Sequence, residues 1–332
     1  MDRIASLPGL AAQVEAVMWF KSLRDMGILG MNARNIEFIG RYNQRKLYPL
    51  VDDKLKTKKL AQRFDIPAPK LHFVIREQHR LRNAENLFRK LDGFAIKPAK
   101  GSGGKGILVI KTQEQGRFVT TSGVRLGLTD IKRHISNILA GLYSLAGTPD
   151  VAIVEELVEF SDMFTGFSHQ GVPDIRIIVF QGYPVMAMLR LATQRSDGKA
   201  NLHQGAIGVG LDIATGTSLD AVLFSLPLEV HPDTGRILSE IDIPGWQEIL
   251  YLAARCHDMT GLGYIGTDIV LDSDNRPLLL ELNARPGLSI QVANGQGLLP
   301  RLRHIEKLKR KHDAAQERVN YVLTTFGATA SL

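Results

Sequence analysis

Two acidic residues and an amide are spaced so that together they could hold a metal ion. Gly266-Thr267-Asp268-Ile269-Val270-Leu271-Asp272 is followed by Ser273-Asp274-Asn275-Arg276 and then by Pro277-Leu278-Leu279-Leu280-Glu281-Leu282-Asn283. Apolar runs on either side of a short polar turn predict a β-hairpin. With residues 273–276 as the loop, Asp272 faces Pro277, Val270 faces Leu279 and Asp268 faces Glu281. Strand side chains alternate between faces, so Asp268, Glu281 and Asn283 point the same way. Directly opposed Cβ atoms lie about 4.5–5.5 Å apart, and two carboxylates at that distance repel unless a cation lies between them. Oxygen ligands without a thiolate or histidine suit Mg²⁺ or Mn²⁺. The plainer alternative is a solvated acidic edge. Both strands are otherwise apolar, which favours a walled site.

A second hairpin carries the opposite charge. Ile175–Phe180 and Val185–Leu191 read as strands, and an odd-length loop puts Arg176 and Arg190 on one face, opposite each other. Two guanidinium groups on an apolar sheet need an anion, either a phosphate or carboxylate ligand or an internal salt bridge. Gly101-Ser102-Gly103-Gly104-Lys105-Gly106 matches G-x-G-x-x-G. A strand rather than a helix follows it (Ile107–Ile110), so neither a dinucleotide fingerprint nor a Walker A loop is present. Strand–glycine loop–strand is a flap whose backbone N–H groups can close over phosphates, or else a bare solvent hairpin. Lys97 lies just before it, whereas a protein kinase places its lysine after, and the kinase H-R-D and D-F-G motifs are missing. His203 in Asn201-Leu202-His203-Gln204-Gly205-Ala206 reads as a hydrogen-bonding loop residue before it reads as a base. Cys256 reads as core.

The elements that must position these groups follow from pattern. Leu10, Val14, Val17, Met18 and Leu23 predict a packing helix within 1–35, and 54–65 predicts another, ended by Ile66-Pro67-Ala68-Pro69. Strands are expected at Leu71–Ile75, Phe94–Lys97, Ile107–Ile110 and Val151–Val154, and helices at 83–91, 129–145 and 245–259. Residues 192–217 read as a polar, glycine-rich loop and 301–322 as one basic helix. Tight βαβ alternation is absent, so an α+β fold is expected. The expected division is a helical segment and connector over 1–50, lobes over 51–157 and 158–300, and a basic helical tail over 301–332.

Composition narrows the class. Of 332 residues, 41 are basic and 34 acidic, a net +7. The apolar share of 44% and charged share of 23% are those of a globular protein. A single cysteine excludes an intramolecular disulfide and a multi-cysteine zinc site, and a reducing, cytoplasmic setting is the simplest expectation. No apolar stretch reaches the ~18–20 residues of a membrane span, and no signal peptide is evident. The positive excess raises nucleic-acid binding, but no aromatics are interleaved with the basic run RLRHIEKLKRKH, so a solvated helix face is the stronger reading. Much of the excess is expected in that tail.

Six segments occur in one family's order: DDKLKTKKL (52–60), FAIKPAKGSGGKGI (94–107), AIVEELV (152–158), DIRIIVF (174–180), NLHQGA (201–206) and ELNARPGL (281–288). On these the chain resembles the ATP-grasp superfamily, and within it the α-L-glutamate ligase-like proteins related to ribosomal-protein glutamate ligases. The resemblance implies two α+β lobes sandwiching ATP. It implies that Lys54 and Lys97 contact the phosphates, with Lys97 also near the adenine, and that Gly101, Ser102, Gly103, Gly104 and Gly106 form a mobile flap. Glu155 and the backbone of Glu156 to Val158 would bind adenine at the hinge, and Asp162 the ribose. Arg190 would stabilise the transferring phosphoryl group. Asp268, Glu281 and Asn283 would hold two Mg²⁺ ions, Glu281 bridging. Arg176, Asn201, Arg285 and the Pro286-Gly287 turn would face the acceptor substrates. Those ligases carry a full α/β domain before the first lysine motif; about 50 residues precede Lys54 here.

The implied reaction joins a carboxylate to an amine, an amino acid or peptide, through an acylphosphate. Phosphorylation gives the acid a leaving group, and metal ions and arginines offset the charge brought together. An acidic peptide or polymer substrate agrees with the net charge. The rival readings are a phosphotransferase using the same nucleotide and metal site, and a nucleic-acid- or protein-binding module using the basic tail.

Overall fold

In the computed structural model, which describes residues 23–327 apart from 83, 102, 145, 146 and 170, the strands sort into two antiparallel sheets. Most of the helix expected within 1–35, and Ser102 of the glycine run, lie outside the described residues. The first sheet holds β1 (Leu71–Ile75), β2 (Phe94–Pro98), β3 (Leu108–Glu114), β4 (Arg117–Thr120), β5 (Arg125–Leu126) and β6 (Ala152–Glu156), in the order β1-β6-β2-β3-β4-β5. The second holds β7 (Asp174–Phe180), β8 (Tyr183–Leu191), β9 (Ile207–Leu211), β10 (Ser218–Leu223), β11 (Leu226–Pro227), β12 (Tyr264–Leu271) and β13 (Pro277–Asn283), in the order β11-β10-β9-β8-β7-β12-β13. The α+β expectation holds.

Five longer helices dress the sheets. Helix α1 (Lys54–Arg63) starts at an Asp53 cap whose carboxylate accepts from the N–H groups of Leu55 and Lys56. Helix α2 (Leu128–Leu139) buries Ile131, Ile135 and Ile138 on the first sheet with Phe88, Phe94 and Phe118. Each such isoleucine contributes about 1.5–3 kcal/mol by leaving water. Helix α3 (Trp246–Thr260) and helix α5 (Ala315–Thr325) pack together against the second sheet, and α4 (Leu299–Glu306) joins the same core. Cys256 is wholly buried in α3, as expected of core.

Four local expectations are corrected. The helix expected over 129–145 stops at Leu139, because Gly141 adopts φ +84° and a Cβ there would lie 2.4 Å from the Thr148 carbonyl oxygen. The 192–217 loop contains a strand: β9 is buried throughout, and Gly208 and Gly210 hide its apolar pattern. A Cβ on Gly210 would stand 2.3 Å from the Ala293 carbonyl oxygen, so close packing dictates the glycine that obscures the strand. The single helix expected over 301–322 is two, α4 and α5, separated by a reversal. There His312 N–H donates to the Tyr183 hydroxyl and Arg318 donates to the carbonyls of His312 and Asp313.

The fourth concerns register. Asp268 does pair with Glu281, but Ile269 pairs with Leu279, Val270 with Leu278 and Leu271 with Pro277. A bulge at Leu280 absorbs the difference, so the turn end is one residue off while the acidic end is as read. In the arginine hairpin, Arg190 pairs with Asp174, and Arg176 with Met188. The two arginines therefore share a face one rung apart and are not opposite. The connecting turn has an even number of residues (Gln181-Gly182); a second bulge between Ile178 and Val179 restores the shared face.

Candidate active site

One row of charges crosses four adjacent strands of the second sheet. Glu281 on β13 pairs with Asp268 on β12, which pairs with Arg176 on β7, and one rung along, Asp174 pairs with Arg190 on β8. Opposite charges on facing positions stabilise such a sheet, whereas the acidic Asp268–Glu281 pair does not. Arg176 grips Asp268 with two bonds, Nε to Oδ1 at 2.7 Å and Nη2 to Oδ2 at 2.6 Å. Arg190 donates from Nη2 to Asp268 Oδ2 at 2.8 Å and from Nε to Asp174 Oδ1 at 2.5 Å. Asn283 reaches Asp268 through its amide at 3.4 Å.

Burial and ion pairing compete in this row, with opposite outcomes at its two aspartates. Desolvation alone would raise the Asp268 carboxyl, but Arg176 and Arg190 override it and hold the group well below the usual carboxylate range. Asp174 goes the other way: burial, with Asp268 nearby, outweighs Arg190 and pushes it up to about 6. One guanidinium shared between two carboxylates cannot fully compensate both.

The first sheet brings lysines to the same cleft. Lys54, the first residue of α1, donates from Nζ to the Gly101 carbonyl at 2.8 Å and to Glu281 Oε1 at 2.9 Å. It thereby links the glycine run, the helix and the acidic hairpin. Lys97 on β2 pairs with Glu155 Oε2 at 2.7 Å, and Lys58, one turn into α1, pairs with Glu155 Oε1 at 3.1 Å. Burial raises the Glu155 carboxyl, yet the two ammonium groups draw it below its ordinary value. Burial in turn lowers the Lys58 ammonium. Lys54, Lys58, Lys97, Glu155 and Glu281 all line one cleft between the two sheets.

The glycine run lies at the mouth of β3. Gly103 and Gly104 have φ of +62° and +74° with open space around them, so the tip suits residues without a Cβ. Both ends are braced: Lys100 N–H donates to the Asp150 carboxylate at 2.9 Å, and the Gly106 carbonyl meets His134 Nε2 at 3.0 Å. A Cβ on Gly106 would enter the Tyr143 ring.

The remaining expected residues lie around this centre. Glu156 is exposed at the end of β6 and Val158 is half-buried just beyond it. There the chain leaves the first sheet, and Ser161 N–H bonds the Leu271 carbonyl of β12 at 3.2 Å. Asp162 is exposed and opens a 3₁₀ turn capped by Ser161. Asn201 caps the turn Leu202–Gln204 through its side-chain carbonyl, which accepts from His203 N–H at 3.1 Å. Arg285 is mostly exposed, with its guanidinium 5.3 Å from the Tyr48 ring centre and 3.9 Å from Asp52. None of these contacts is with a member of the charged row.

Two residues of the centre, Lys58 and Asp174, lie in the segments DDKLKTKKL and DIRIIVF but carry no expected role. Both carried a signal: Lys58 is one helical turn from Lys54, and Asp174 is two residues before Arg176 on the same strand face.

The donor set can be tested for a divalent ion. Among the described residues, no three His, Cys, Asp or Glu side chains group as a metal site. The set is two carboxylates and an amide, all oxygen donors on one face, and that chemistry fits a hard cation. Both Asp268 oxygens are taken by guanidinium groups, so Glu281 is the donor that lines the cleft.

The chain is 24% identical over 259 residues to a probable alpha-L-glutamate ligase of Syntrophotalea carbinolica, covering 77% of this chain and 63% of that protein. It is 26% identical over 278 residues to a probable alpha-L-glutamate ligase of a Marinomonas species, covering 82% of this chain and 70% of that one. The match thus spans just under two thirds of the first relative's length. Among solved structures it is similar to D-alanyl-alanine synthetase A from Vibrio cholerae, at 12% identity and TM-score 0.46, covering 84% of this chain and 66% of that one. It is likewise similar to the D-cycloserine synthetase DcsG, at 14% identity and TM-score 0.44, covering 82% and 72%. No helix among the described residues is long and apolar enough to cross a membrane. The sugar-transfer associated ATP-grasp model matches residues 33–307, most of the chain, with the two sheets and the cleft inside that span; the chain belongs to this ATP-grasp family.

Proposed function

We propose that the protein is an ATP-dependent carboxylate–amine ligase that works through an acylphosphate and releases ADP and phosphate. The observation that carries this reading is the polarity of the cleft. Lysines 54, 58 and 97, with Glu155 between the last two, come from the first lobe and Glu281 from the second, with Lys54 bonded to Glu281 across the gap. A polyphosphate needs cations on one side, and the metal that accompanies it needs oxygen ligands on the other. Membership of an ATP-grasp family and relatives named as probable alpha-L-glutamate ligases support the same chemistry. The expected setting is the cytoplasm.

In this reading the lobes over 51–157 and 158–300 close on the nucleotide. Lys54 and Lys97 bind phosphate oxygens, and Lys58 with Glu155 holds Lys97 in place. Gly101 to Gly106 cover the phosphates and exclude water, which would otherwise hydrolyse the acylphosphate. The backbone of Glu156 to Val158 takes the adenine and Asp162 the ribose. Asp268, Glu281 and Asn283 would hold Mg²⁺, which supplies charge neutralisation to the phosphates when bound. Arg190 offsets charge on the transferring phosphoryl group, and Arg176, Asn201 and Arg285 face the acid and the amine. A carboxylate oxygen attacks the γ-phosphorus and the bond to ADP breaks. The amine nitrogen then attacks the acyl carbon, phosphate leaves, and the nitrogen loses a proton.

The test is trapping. Protein incubated with ATP, Mg²⁺, a panel of acids and hydroxylamine is expected to yield a hydroxamate and ADP. A phosphorylated product with no hydroxamate would replace the ligase reading with a phosphotransferase one.

A further inference from the structure

This inference rests on the phosphoryl-transfer reading above and concerns Asp174. Its carboxylate is almost wholly out of water (5% exposed), a costly place for a charge that only balances another. Asp174 and Asp268 together balance Arg176 and Arg190, and the geometry of the contacts says what the charge count does not. The two contacts differ in kind. Asp268 takes Nη2 at the outer end of the guanidinium, while Asp174 takes Nε, next to the aliphatic stem. A bond at Nε fixes the direction of the whole plane, because the remaining nitrogens are then set by the rigid fork.

Asp174 also stands directly across the ladder from Arg190, so the pair spans one rung of a buried sheet and has no loop in it. Asp268, by contrast, accepts from Arg176 at both oxygens and from Arg190 at Oδ2 alone, with the Asn283 amide 3.4 Å from that same oxygen. Asp268 also belongs to the oxygen set that fits a divalent ion. Oδ2 given to a metal is lost to Arg190, whose only bond to Asp268 it accepts. Arg190 would then keep a single partner, and that partner is Asp174.

We infer that Asp174 is a positioning residue that fixes the plane of the Arg190 guanidinium from Nε, so that its outer N–H groups stay directed at the transferring phosphoryl group when Asp268 turns to a metal ion. Asp174 itself touches no substrate. A merely structural Asp174 would support the sheet but not the phosphoryl position specifically.

Binding of two probes to the full chain separates these roles: ADP with Mg²⁺, and the same with aluminium fluoride, which stands in for the phosphoryl group in flight. Wild type should hold ADP more tightly once aluminium fluoride is added. In D174N, ADP affinity should stay near wild type while that gain shrinks about 10-fold or more, the usual cost of losing an orienting partner. R190A should lose the gain too, and D174N added to R190A should change nothing further. Should D174N fail to fold, as a melting curve would show, D174E serves: it keeps the charge, and is expected to retain part of the gain. A wild-type gain in D174N or, if that variant does not fold, in D174E would overturn the inference. So would losses that multiply in the double variant. Wild-type protein that takes up no ADP would overturn the nucleotide reading itself, and the positioning role with it.

Discussion

The two lobes carry opposite charge. Residues 51–157 hold 19 Lys and Arg against 11 Asp and Glu, a net of +8, while residues 158–300 hold 8 against 16, a net of −8. The whole-chain figure of +7 averages this away. The tail, where the positive excess was expected, has 7 against 3, and two of its arginines, Arg301 and Arg318, are buried against backbone carbonyls. Fields of whole lobes are screened over about 8 Å at physiological salt, so the functional content lies in the cleft, where the two signs meet in pairs. On the proposed reading this is a division of labour, with the anion taken by the first lobe and the cation that travels with it by the second.

The largest expected effect breaks the acidic side. Glu281→Gln keeps the shape but removes the charge at a third-exposed position, so the melting temperature should hold. Turnover measured by ADP release should fall about 10²–10³-fold, the scale of losing one preorganised electrostatic partner. Added Mg²⁺ should restore part of it, because weakened metal binding responds to mass action. Asp268→Asn is different. It leaves Arg176 and Arg190 under-compensated in a site where Asp268 is 3% exposed, and breaking such a buried network costs about 3–5 kcal/mol of stability. Turnover like wild type in Glu281→Gln would end the assignment of a cation to the second lobe.

Next in size is the basic side. Lys97→Ala removes a charge-assisted contact worth about 1.5–3 kcal/mol, roughly 10- to 150-fold in ATP affinity. The Mg²⁺ concentration for half-maximal binding should be unchanged, which is what separates the lobes. Lys58→Met should weaken ATP less, since Lys58 acts through Glu155. A nucleotide affinity indifferent to Lys97 would collapse the distinction.

Much of this is legible in the sequence. The Asp268–Glu281 pairing and the shared face of Arg176 and Arg190 are as read, although in each hairpin a bulge offsets a turn one residue longer or shorter than expected. What stayed hidden has local causes. Two bulges shift register without leaving a sequence mark, so the turn end of β12–β13 and the rung of Arg190 were each misplaced. Strand β9 was lost because Gly208 and Gly210 replace the side chains that would have shown its period. The tail helix was read as continuous because its reversal depends on Tyr183, far away in sequence. Lys58 and Asp174 were passed over because motif reading picks groups that touch a ligand, and these two touch the groups that do.

The smallest effect tests the lysine side through acid. Glu155 has a folded-state carboxyl drawn below its ordinary value by Lys97 and Lys58, against the opposing pull of burial. A depressed carboxyl contributes stability that is present above its unfolded value, about 4.3, and is lost as pH falls through the folded one. At neutral pH, wild type should therefore melt above Glu155→Gln, which leaves two ammonium groups without their partner. The gap should narrow as pH falls below about 4, since protonation makes wild type resemble the variant. Lys58 sharpens the case: burial already lowers its ammonium, so losing Glu155 should let it shed its proton more readily. A melting gap that stayed constant down to pH 3 would mean that Glu155 is not the charge that keeps the lysines of the first lobe in place.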